Sequence, residues 1–256
     1  MLRNACARLY DSASSDVTRT THSADAVAGC SSAPGKVVRL TLPSSVGDDV
    51  TLWQVTQPGD NSALDAVNVL TADDWAEFAP LRNKAVRKRA FAVRTILRRL
   101  LSDATGGAIE PGAWRFARSP FGKPYVVPGL PQIDFSVSHT EGVSLIAIAP
   151  KARLGLDVEA FGIADWHAAA SDAFSPRELS QLRRTPQALR EEAFLRIWTA
   201  REAYAKLVGI GLSADLPAND CGVGTQFATW SAECPSGRMV VSLAIDGSQG
   251  DATQPG

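Results

Sequence analysis

The sequence is poor in the residues and segments that define several large classes of protein. Only three histidines and four cysteines occur in 256 residues, and no two cysteines form a Cys-x-x-Cys pair. A zinc site or a disulfide framework is therefore not indicated. No apolar run reaches the ~18 residues that a transmembrane helix needs. The first thirty-odd residues lack the apolar segment of a signal peptide, so we expect a cytoplasmic protein.

The charge balance is nearly neutral but unevenly distributed. The net charge is -1, which favours neither nucleic acid nor a membrane surface as a partner. Eight of the 26 Lys and Arg residues nevertheless lie between Arg82 and Leu101, among apolar residues at helical spacing. This pattern predicts a long amphipathic helix with a positive exterior. That exterior is either a solvated face or a landing surface for phosphate or an acidic protein.

The segment 154–159 carries the strongest functional signal. Leu154, Leu156 and Val158 alternate with Gly155, Asp157 and Glu159, which is the period of a strand with one apolar face. Residues two apart on a strand point the same way, so Asp157 and Glu159 are predicted to lie side by side and to hold one cation. The alternative is an exposed strand face that happens to be acidic. Gly155, on the same face, leaves room for a close approach.

The rest of the chain divides into four predicted parts. Residues 1–35 are rich in small and polar types and are predicted to be a disordered extension, and residues 248–256 a polar tail. Between them we predict an N-terminal half, 36–150, and a C-terminal half, 151–247, which carries the metal site. An apolar strand over 143–149 is predicted to form a hairpin with the 155–159 strand.

Two helices of the C-terminal half have clear start or stop signals. Ser175 and Glu178, with Pro176 between them, form a capping box. A longer helix is predicted over 191–208, ended by glycine. Trp198, Glu202 and Lys206 stand four apart on it and share one stripe. A surface ion pair between Glu202 and Lys206 is the structural alternative for those two residues.

Two further segments carry polar groups at defined places. Lys123 lies in the loop 119–125, where Gly122 and Pro124 restrict the backbone on either side. Ser138 and His139 close a predicted strand over 133–140. Adjacent strand residues point apart, so this pair does not indicate a nucleophile and its base. Hydrogen bonding to a ligand phosphate is the favoured role.

Together these groups indicate magnesium and phosphate. Three carboxylates, those of Asp157, Glu159 and Glu202, without suitable Cys or His ligands, fit Mg²⁺ better than zinc. Mg²⁺ held by few carboxylates usually completes its shell with substrate phosphates. Lys123 and Lys206 would then bind the same substrate phosphates, and the pattern indicates chemistry on a pyrophosphate.

This ordered set of motifs resembles the 4′-phosphopantetheinyl transferase superfamily, specifically its larger Sfp-type members. The resemblance covers roughly residues 70–212. Arg201 is a departure, because members commonly have Lys there, and the basic segment before Phe91 matches less clearly. The matching segments are Phe121-Gly122-Lys123-Pro124, Phe135-Ser136-Val137-Ser138-His139-Thr140, Gly155-Leu156-Asp157-Val158-Glu159 and Trp198-Thr199-Ala200-Arg201-Glu202-Ala203-Tyr204-Ala205-Lys206.

The resemblance implies both a fold and an activity. The fold is α+β, with two similar α/β halves in a pseudo-twofold arrangement, each a small antiparallel sheet packed with a long helix. The activity is that of a holo-[carrier-protein] synthase, which moves 4′-phosphopantetheine from the co-substrate coenzyme A to a serine of an apo acyl- or peptidyl-carrier protein. Mg²⁺ is the cofactor and adenosine 3′,5′-bisphosphate is released. Such carriers serve fatty-acid or secondary-metabolite synthesis.

The resemblance also implies roles for individual residues. Glu202, as the candidate base, and Lys206 would be catalytic. Metal ligands would be Asp157, Glu159 and Glu202. Coenzyme ligands would be Lys123, Pro124, Ser138, His139, Arg89 and Asp157. We expect a monomer. The rival interpretations are another Mg²⁺-dependent phosphate enzyme, such as a nucleotide pyrophosphatase, and a non-catalytic module that binds coenzyme or carrier.

Overall fold

A computed structural model describes residues 36–56, 69–210, 225–235 and 237–247. The predicted N-terminal extension and polar tail lie outside these residues. Within them the helices are α1 (Ala72–Phe78), α2 (Lys84–Ala104), α3 (Trp166–Ala173), α4 (Pro176–Arg184) and α5 (Arg190–Val208). The strands are β1 (Val37–Leu40), β2 (Thr51–Thr56), β3 (Phe116–Arg118), β4 (Pro124–Val126), β5 (Asp134–Thr140), β6 (Val143–Ala149), β7 (Arg153–Ala160), β8 (Thr225–Cys234) and β9 (Gly237–Asp246).

Local signals account for where the helices begin and end. Thr71 precedes α1 and forms a capping box with Asp74. Ser175 and Glu178 do the same for α4, as predicted. Helix α5 ends at Gly209, whose left-handed φ of 76° suits a residue without a side chain. The two predicted long helices are confirmed to within a few residues, as α2 and α5. The strands predicted over 133–140, 143–149 and 154–159 are confirmed as β5, β6 and β7.

Two antiparallel sheets form the centre of the fold. The first has the strand order β1-β2-β6-β5 and the second the order β7-β9-β8, while β3 and β4 form a separate two-stranded ribbon. The predicted hairpin between β6 and β7 is wrong. Strand β6 pairs with β2 and β5, whereas β7 pairs with β9 along its whole length, from Arg153 opposite Asp246 to Ala160 opposite Met239. The short connection between β6 and β7 instead carries the chain from one sheet to the other.

The sheets pack against each other, and each carries a long helix on its other face. Leu52 and Leu145 of the first sheet share one core with Leu156 and Leu243 of the second. Helix α2 packs on the first sheet through Leu97, Leu100 and Leu101. Helix α5 packs on the second through Ala203 and Leu207, against Ala244. The predicted fold class, small antiparallel sheets packed with helices, is confirmed; the twofold relation and the domain boundaries stay predictions.

The basic helix is less exposed than its sequence suggests. Arg94 and Arg98 were expected on the positive exterior but are buried, with 7% and 1% of their surfaces exposed. Both guanidinium groups bind the carboxylate of Asp74 on α1. The Arg98 guanidinium also donates to the carbonyl oxygens of Pro111 and Trp114. The exposed positive face of α2 therefore contains fewer arginines than predicted, because Arg94 and Arg98 are buried against Asp74.

Side chains, rather than a backbone ladder, join β5 to β7. The backbone N–H groups of Leu154, Leu156 and Ala160 donate to side chains of β5, at distances of 2.8, 3.1 and 3.0 Å. The acceptors lie 20 residues earlier in each case, so the two strands run in the same direction with constant register. They are Asp134, Ser136 and Thr140. This seam, as we call these three bonds, covers an otherwise bare strand edge.

Among the described residues, no helix is long and apolar enough to span a membrane.

Candidate active site

A cleft of about 490 Å³ opens between α2, the β3–β4 turn, β5 and the C-terminal part of α5. Its polar wall includes Arg89, Lys123, His139, Glu202 and Lys206. Pro124 also lines it, and apolar side chains of α1, α2 and β5 complete it. The cleft therefore has positively charged groups on several sides and an acidic group at one end, which suits a ligand that is part phosphate and part apolar.

Asp157 lies at the centre of a hydrogen-bonded cluster behind this cleft. Its Oδ1 accepts from Ser138 Oγ at 2.8 Å and from Lys206 Nζ at 2.7 Å. Lys206 Nζ also donates to Ser138 Oγ at 3.1 Å. Only 6% of the Asp157 side chain is exposed. Three residues from β5, β7 and α5 thus meet at one carboxylate oxygen, and Lys206 does not form a simple surface pair with Glu202.

The close packing of α5 on β7 depends on Gly155. A Cβ added there would lie 1.9 Å from the carbonyl oxygen of Ala203 and 2.4 Å from the backbone nitrogen of Leu207. The predicted close approach on this face is therefore made by a helix backbone. It brings Glu202 and Lys206, on the adjacent part of α5, over the acidic face of β7.

Three carboxylates lie near one another here, and the pKa values of Glu159 and Glu202 are raised. Burial, followed by the charge of Asp157, raises the pKa of Glu202 to about 7. Burial also raises the pKa of Glu159, and Asp157 and Glu202 raise it further. For Lys206, burial lowers the pKa, but the Asp157 carboxylate outweighs this and the net pKa is raised. One ammonium group faces three carboxylates, so the cluster has an excess of acid.

This acidic excess fits a hard cation. Oδ2 of Asp157 is buried without a hydrogen-bond partner, and the donors at hand are carboxylate oxygens, which Mg²⁺ prefers. Within the described part of the chain, no group of three or more His, Cys, Asp or Glu side chains is placed to hold a metal ion by itself, so the three predicted ligands do not form a complete set. A site completed by ligand oxygens is the arrangement that these residues suit.

Lys123 is held from both ends. Its ammonium group donates to Asp134 Oδ2 at 3.0 Å and to the Leu154 carbonyl oxygen at 2.9 Å. Its backbone closes a turn with Ser119, whose N–H donates to the Lys123 carbonyl oxygen at 2.9 Å. Gly122 in this turn has a φ of 89°, which favours glycine. The turn therefore holds the Lys123 backbone in one place, as the sequence predicted.

Arg89 and His139 both line the cleft, from α2 and β5. Arg89 is half-buried on α2, and His139 is exposed on β5. Although the surface of His139 reaches solvent, protein surrounds its ring closely enough that burial, then the charges of Arg89 and Lys206, lower its pKa to about 4. Its imidazole is therefore neutral at pH 7, when it has one N–H donor and one acceptor nitrogen.

The predicted site residues thus fall into two groups. One is the cluster behind the cleft, and the other is the set of cleft-lining side chains, with Glu202 and Lys206 common to both. Glu178 belongs to neither: it caps α4 and pairs with buried Arg201 at 3.0 Å. Sequence reasoning missed Asp134, the partner of Lys123. The alternation of the β5 segment was the available signal, since it places Asp134 on the same face as Ser136 and Ser138.

Residues 153–232 match the 4′-phosphopantetheinyl transferase superfamily. The chain is 32% identical over 182 residues to the 4′-phosphopantetheinyl transferase HetI of Nostoc sp. (strain PCC 7120), covering 70% of this chain and 75% of that protein. It is 33% identical over 163 residues to an L-aminoadipate-semialdehyde dehydrogenase-phosphopantetheinyl transferase of Eremothecium gossypii, covering 61% of this chain and 57% of that protein. A 4′-phosphopantetheinyl transferase of Bacillus subtilis is 30% identical over 130 residues, covering 49% of this chain and 56% of that protein.

The matched sequences are those of phosphopantetheinyl transferases, and the small antiparallel sheets with their helices agree with that fold. The chain belongs to the 4′-phosphopantetheinyl transferase superfamily, and the predicted enzyme class is confirmed.

Proposed function

We propose that this chain transfers the 4′-phosphopantetheine group of coenzyme A to a serine hydroxyl of an apo carrier protein, with Mg²⁺, and releases adenosine 3′,5′-bisphosphate. The observation that carries the proposal is the acidic cluster at the end of a basic cleft, with Asp157 Oδ2 buried and without a partner. A diphosphate with a divalent ion matches both parts of that arrangement.

The bond changes follow from the chemistry of the two substrates. The serine Oγ attacks the phosphorus that carries pantetheine, and the bridging P–O bond of the diphosphate breaks. The bridging electron pair stays with the adenosine 3′,5′-bisphosphate. The serine proton passes to Glu202, the candidate base, because a serine hydroxyl is a poor nucleophile at neutral pH.

Residues of the cleft bind and orient the coenzyme in this proposal. Lys206 and Lys123 donate to phosphate oxygens, and charge-assisted bonds of this kind are among the strongest available. His139 is a further phosphate partner, Arg89 is the candidate for the 3′-phosphate, and Pro124 contributes to the wall. Ser138, which lies behind the cleft and hydrogen-bonds Lys206 and Asp157, is proposed to reach the phosphate only if the ligand displaces one of those bonds. Asp157, Glu159 and Glu202 would hold Mg²⁺, which when bound supplies positive charge against the diphosphate.

Intact mass spectrometry of candidate apo carriers tests the proposal directly. After incubation with coenzyme A, Mg²⁺ and this protein, a carrier should gain the mass of one phosphopantetheine group, and EDTA should prevent the gain. A parallel incubation without carrier should leave coenzyme A intact. Hydrolysis of coenzyme A in that control, with no carrier modified, would favour a pyrophosphatase and contradict the transferase proposal.

The acidic helices of carrier proteins suit the exposed basic residues of α2, and a fatty-acid or secondary-metabolite carrier is the proposed partner. The proposed assembly state is a monomer, and the proposed location is the cytoplasm.

A further inference from the structure

A closed set of hydrogen bonds links Lys123, Asp134 and the backbone of Leu154. Lys123 Nζ donates to Asp134 Oδ2 at 3.0 Å and to the Leu154 carbonyl oxygen at 2.9 Å. The Leu154 N–H donates to the same Oδ2 at 2.8 Å. One carboxylate oxygen therefore fixes both a cleft-lining ammonium group and the strand that carries Asp157 three residues later.

The geometry leaves the lysine available to a ligand. An ammonium group has three N–H donors, and Asp134 and Leu154 accept two of them. Lys123 lines the cleft, whereas Asp134 is not among the residues that line it. The two side chains are 16% and 18% exposed, so the pair is largely shielded from solvent.

The turn fixes the other end of the lysine. The Lys123 N–H donates to Ser119 Oγ at 3.1 Å, and the Arg118 guanidinium donates to the Gly122 carbonyl oxygen at 2.7 Å. Arg118 is itself bound to Glu77 on α1. Backbone and ammonium group are thus both placed before any ligand arrives, which removes part of the ordering cost of binding.

We propose that Asp134 is a positioning residue for the coenzyme phosphates and that it acts through Lys123. The inference rests on the proposed function, because it takes Lys123 as a phosphate ligand. Asp134 has two opposed effects: its carboxylate orders the ammonium group and also competes for it. The ammonium group is fixed by two acceptors, Asp134 and the Leu154 carbonyl oxygen, and keeps one N–H donor for a phosphate. We therefore expect the gain from ordering the lysine to exceed the loss from competition.

Calorimetric titration of coenzyme A into four proteins tests this inference. They are the wild type, Lys123→Ala, Asp134→Asn and the double variant. Asparagine keeps the shape of aspartate but removes its charge, so Asp134→Asn should weaken coenzyme affinity about fivefold, and Lys123→Ala about tenfold or more. In the double variant, affinity should equal that of Lys123→Ala, because Asp134 then has no lysine to position.

Two further variants make the result specific. Asp49→Asn removes the carboxylate of another Lys–Asp pair, the exposed Lys151–Asp49 pair at 3.4 Å, and should leave coenzyme affinity unchanged. Asp134→Glu keeps the charge on a longer arm and should recover part of the affinity that asparagine loses. The KM for coenzyme A should rise in Asp134→Asn while kcat stays within about twofold.

Each adverse result has a distinct meaning. Unchanged or tighter binding by Asp134→Asn would overturn the inference, and so would an equal loss of affinity on the Lys123→Ala background, which indicates a purely structural carboxylate. If Lys123→Ala itself bound coenzyme A as tightly as the wild type, the phosphate role of Lys123 in the proposed function would fail, and the inference about Asp134 would fail with it.

Discussion

Two buried clusters in this molecule join an aspartate to the basic side chains of a long helix, and they are built differently. In the first, Asp74 binds both Arg94 and Arg98 of α2, at 2.6 Å each. In the second, Asp157 binds Lys206 of α5 but leaves its Oδ2 without a partner. The first cluster satisfies its carboxylate, whereas the second retains an excess of acid.

The difference indicates which cluster serves the fold and which serves chemistry. Burial raises the pKa of Asp74, but the Thr71 N–H, Arg98 and Arg94 outweigh it, so that the net pKa is lowered. At the second cluster, burial and like charge raise the pKa of both Glu159 and Glu202. A carboxylate paired with arginines stabilises the fold. Carboxylates that repel one another and have raised pKa values are typical of a functional site that binds a ligand.

The largest expected effect is that of Asp157→Ala. Transfer to a carrier should fall on the order of 1,000-fold or more, because the change removes a proposed metal ligand and the partner of Lys206. The melting temperature should change little, since Lys206 still faces the carboxylates of Glu202 and Glu159. Intact mass spectrometry of the carrier measures the first effect and thermal unfolding the second. Full activity in Mg²⁺ buffer would remove Asp157 from the proposed metal site.

Asp74→Ala should show the opposite pattern. It leaves two arginines buried without their carboxylate, and we expect a loss of about 3–5 kcal/mol in the free energy of unfolding. Transfer per folded molecule should fall far less than in Asp157→Ala. Denaturant titration gives the stability, and activity is normalised to the folded fraction. Comparable stability of the variant and the wild type would make the pairing of Asp74 energetically unimportant.

Gly155→Ala should affect the second cluster through its backbone. The new methyl group would overlap the Ala203 carbonyl oxygen, so α5 must move away from β7 at a cost of about 3 kcal/mol. Glu202 and Lys206 would move with it, and transfer should fall as well. Gly47→Ala is the matched control, because no atom lies within 4 Å of a Cβ at that position. Equal melting temperatures for the two variants would contradict the packing argument.

The smallest effect concerns the pH dependence of stability. The pKa of Asp74 is lower in the folded state than its usual 3.8, so the folded state binds fewer protons there. Its contribution to stability is therefore present above about pH 4 and is lost as the pH falls through the folded pKa. The stability difference between the wild type and Asp74→Asn should shrink in that acidic range. A constant difference down to pH 2–3, as a rough range, would show no such linkage.

Short-range patterns account for the parts of the fold and site that were predicted correctly. The alternation of residues 154–159, the Ser175–Glu178 capping box and the helical stripe with Glu202 and Lys206 are all set by neighbours in sequence. They fix which face each side chain occupies. Whether the stripe and the acidic strand face meet depends on the packing of α5 on β7, which the sequence indicated through Gly155 and the family resemblance.

Long-range pairing accounts for the errors. Two apolar strands joined by a short connection favour a hairpin, yet β7 pairs with β9, about 80 residues later, so the local rule failed. Arg94 and Arg98 fit the basic periodicity of α2, and nothing within the helix shows that Asp74 binds them. Asp134 was missed for the same reason, since its partners Lys123 and Leu154 come from two other segments.

The seam between β5 and β7 has a consequence for how the molecule opens. A backbone ladder separates only when many amide bonds break together, whereas this boundary has three side-chain acceptors facing three β7 amides. In hydrogen-exchange terms, the amides of Leu154, Leu156 and Ala160 should exchange sooner than their neighbours bonded to β9. The boundary that brings Lys123 and Ser138 to β7 is therefore expected to open less cooperatively than a boundary paired by backbone bonds.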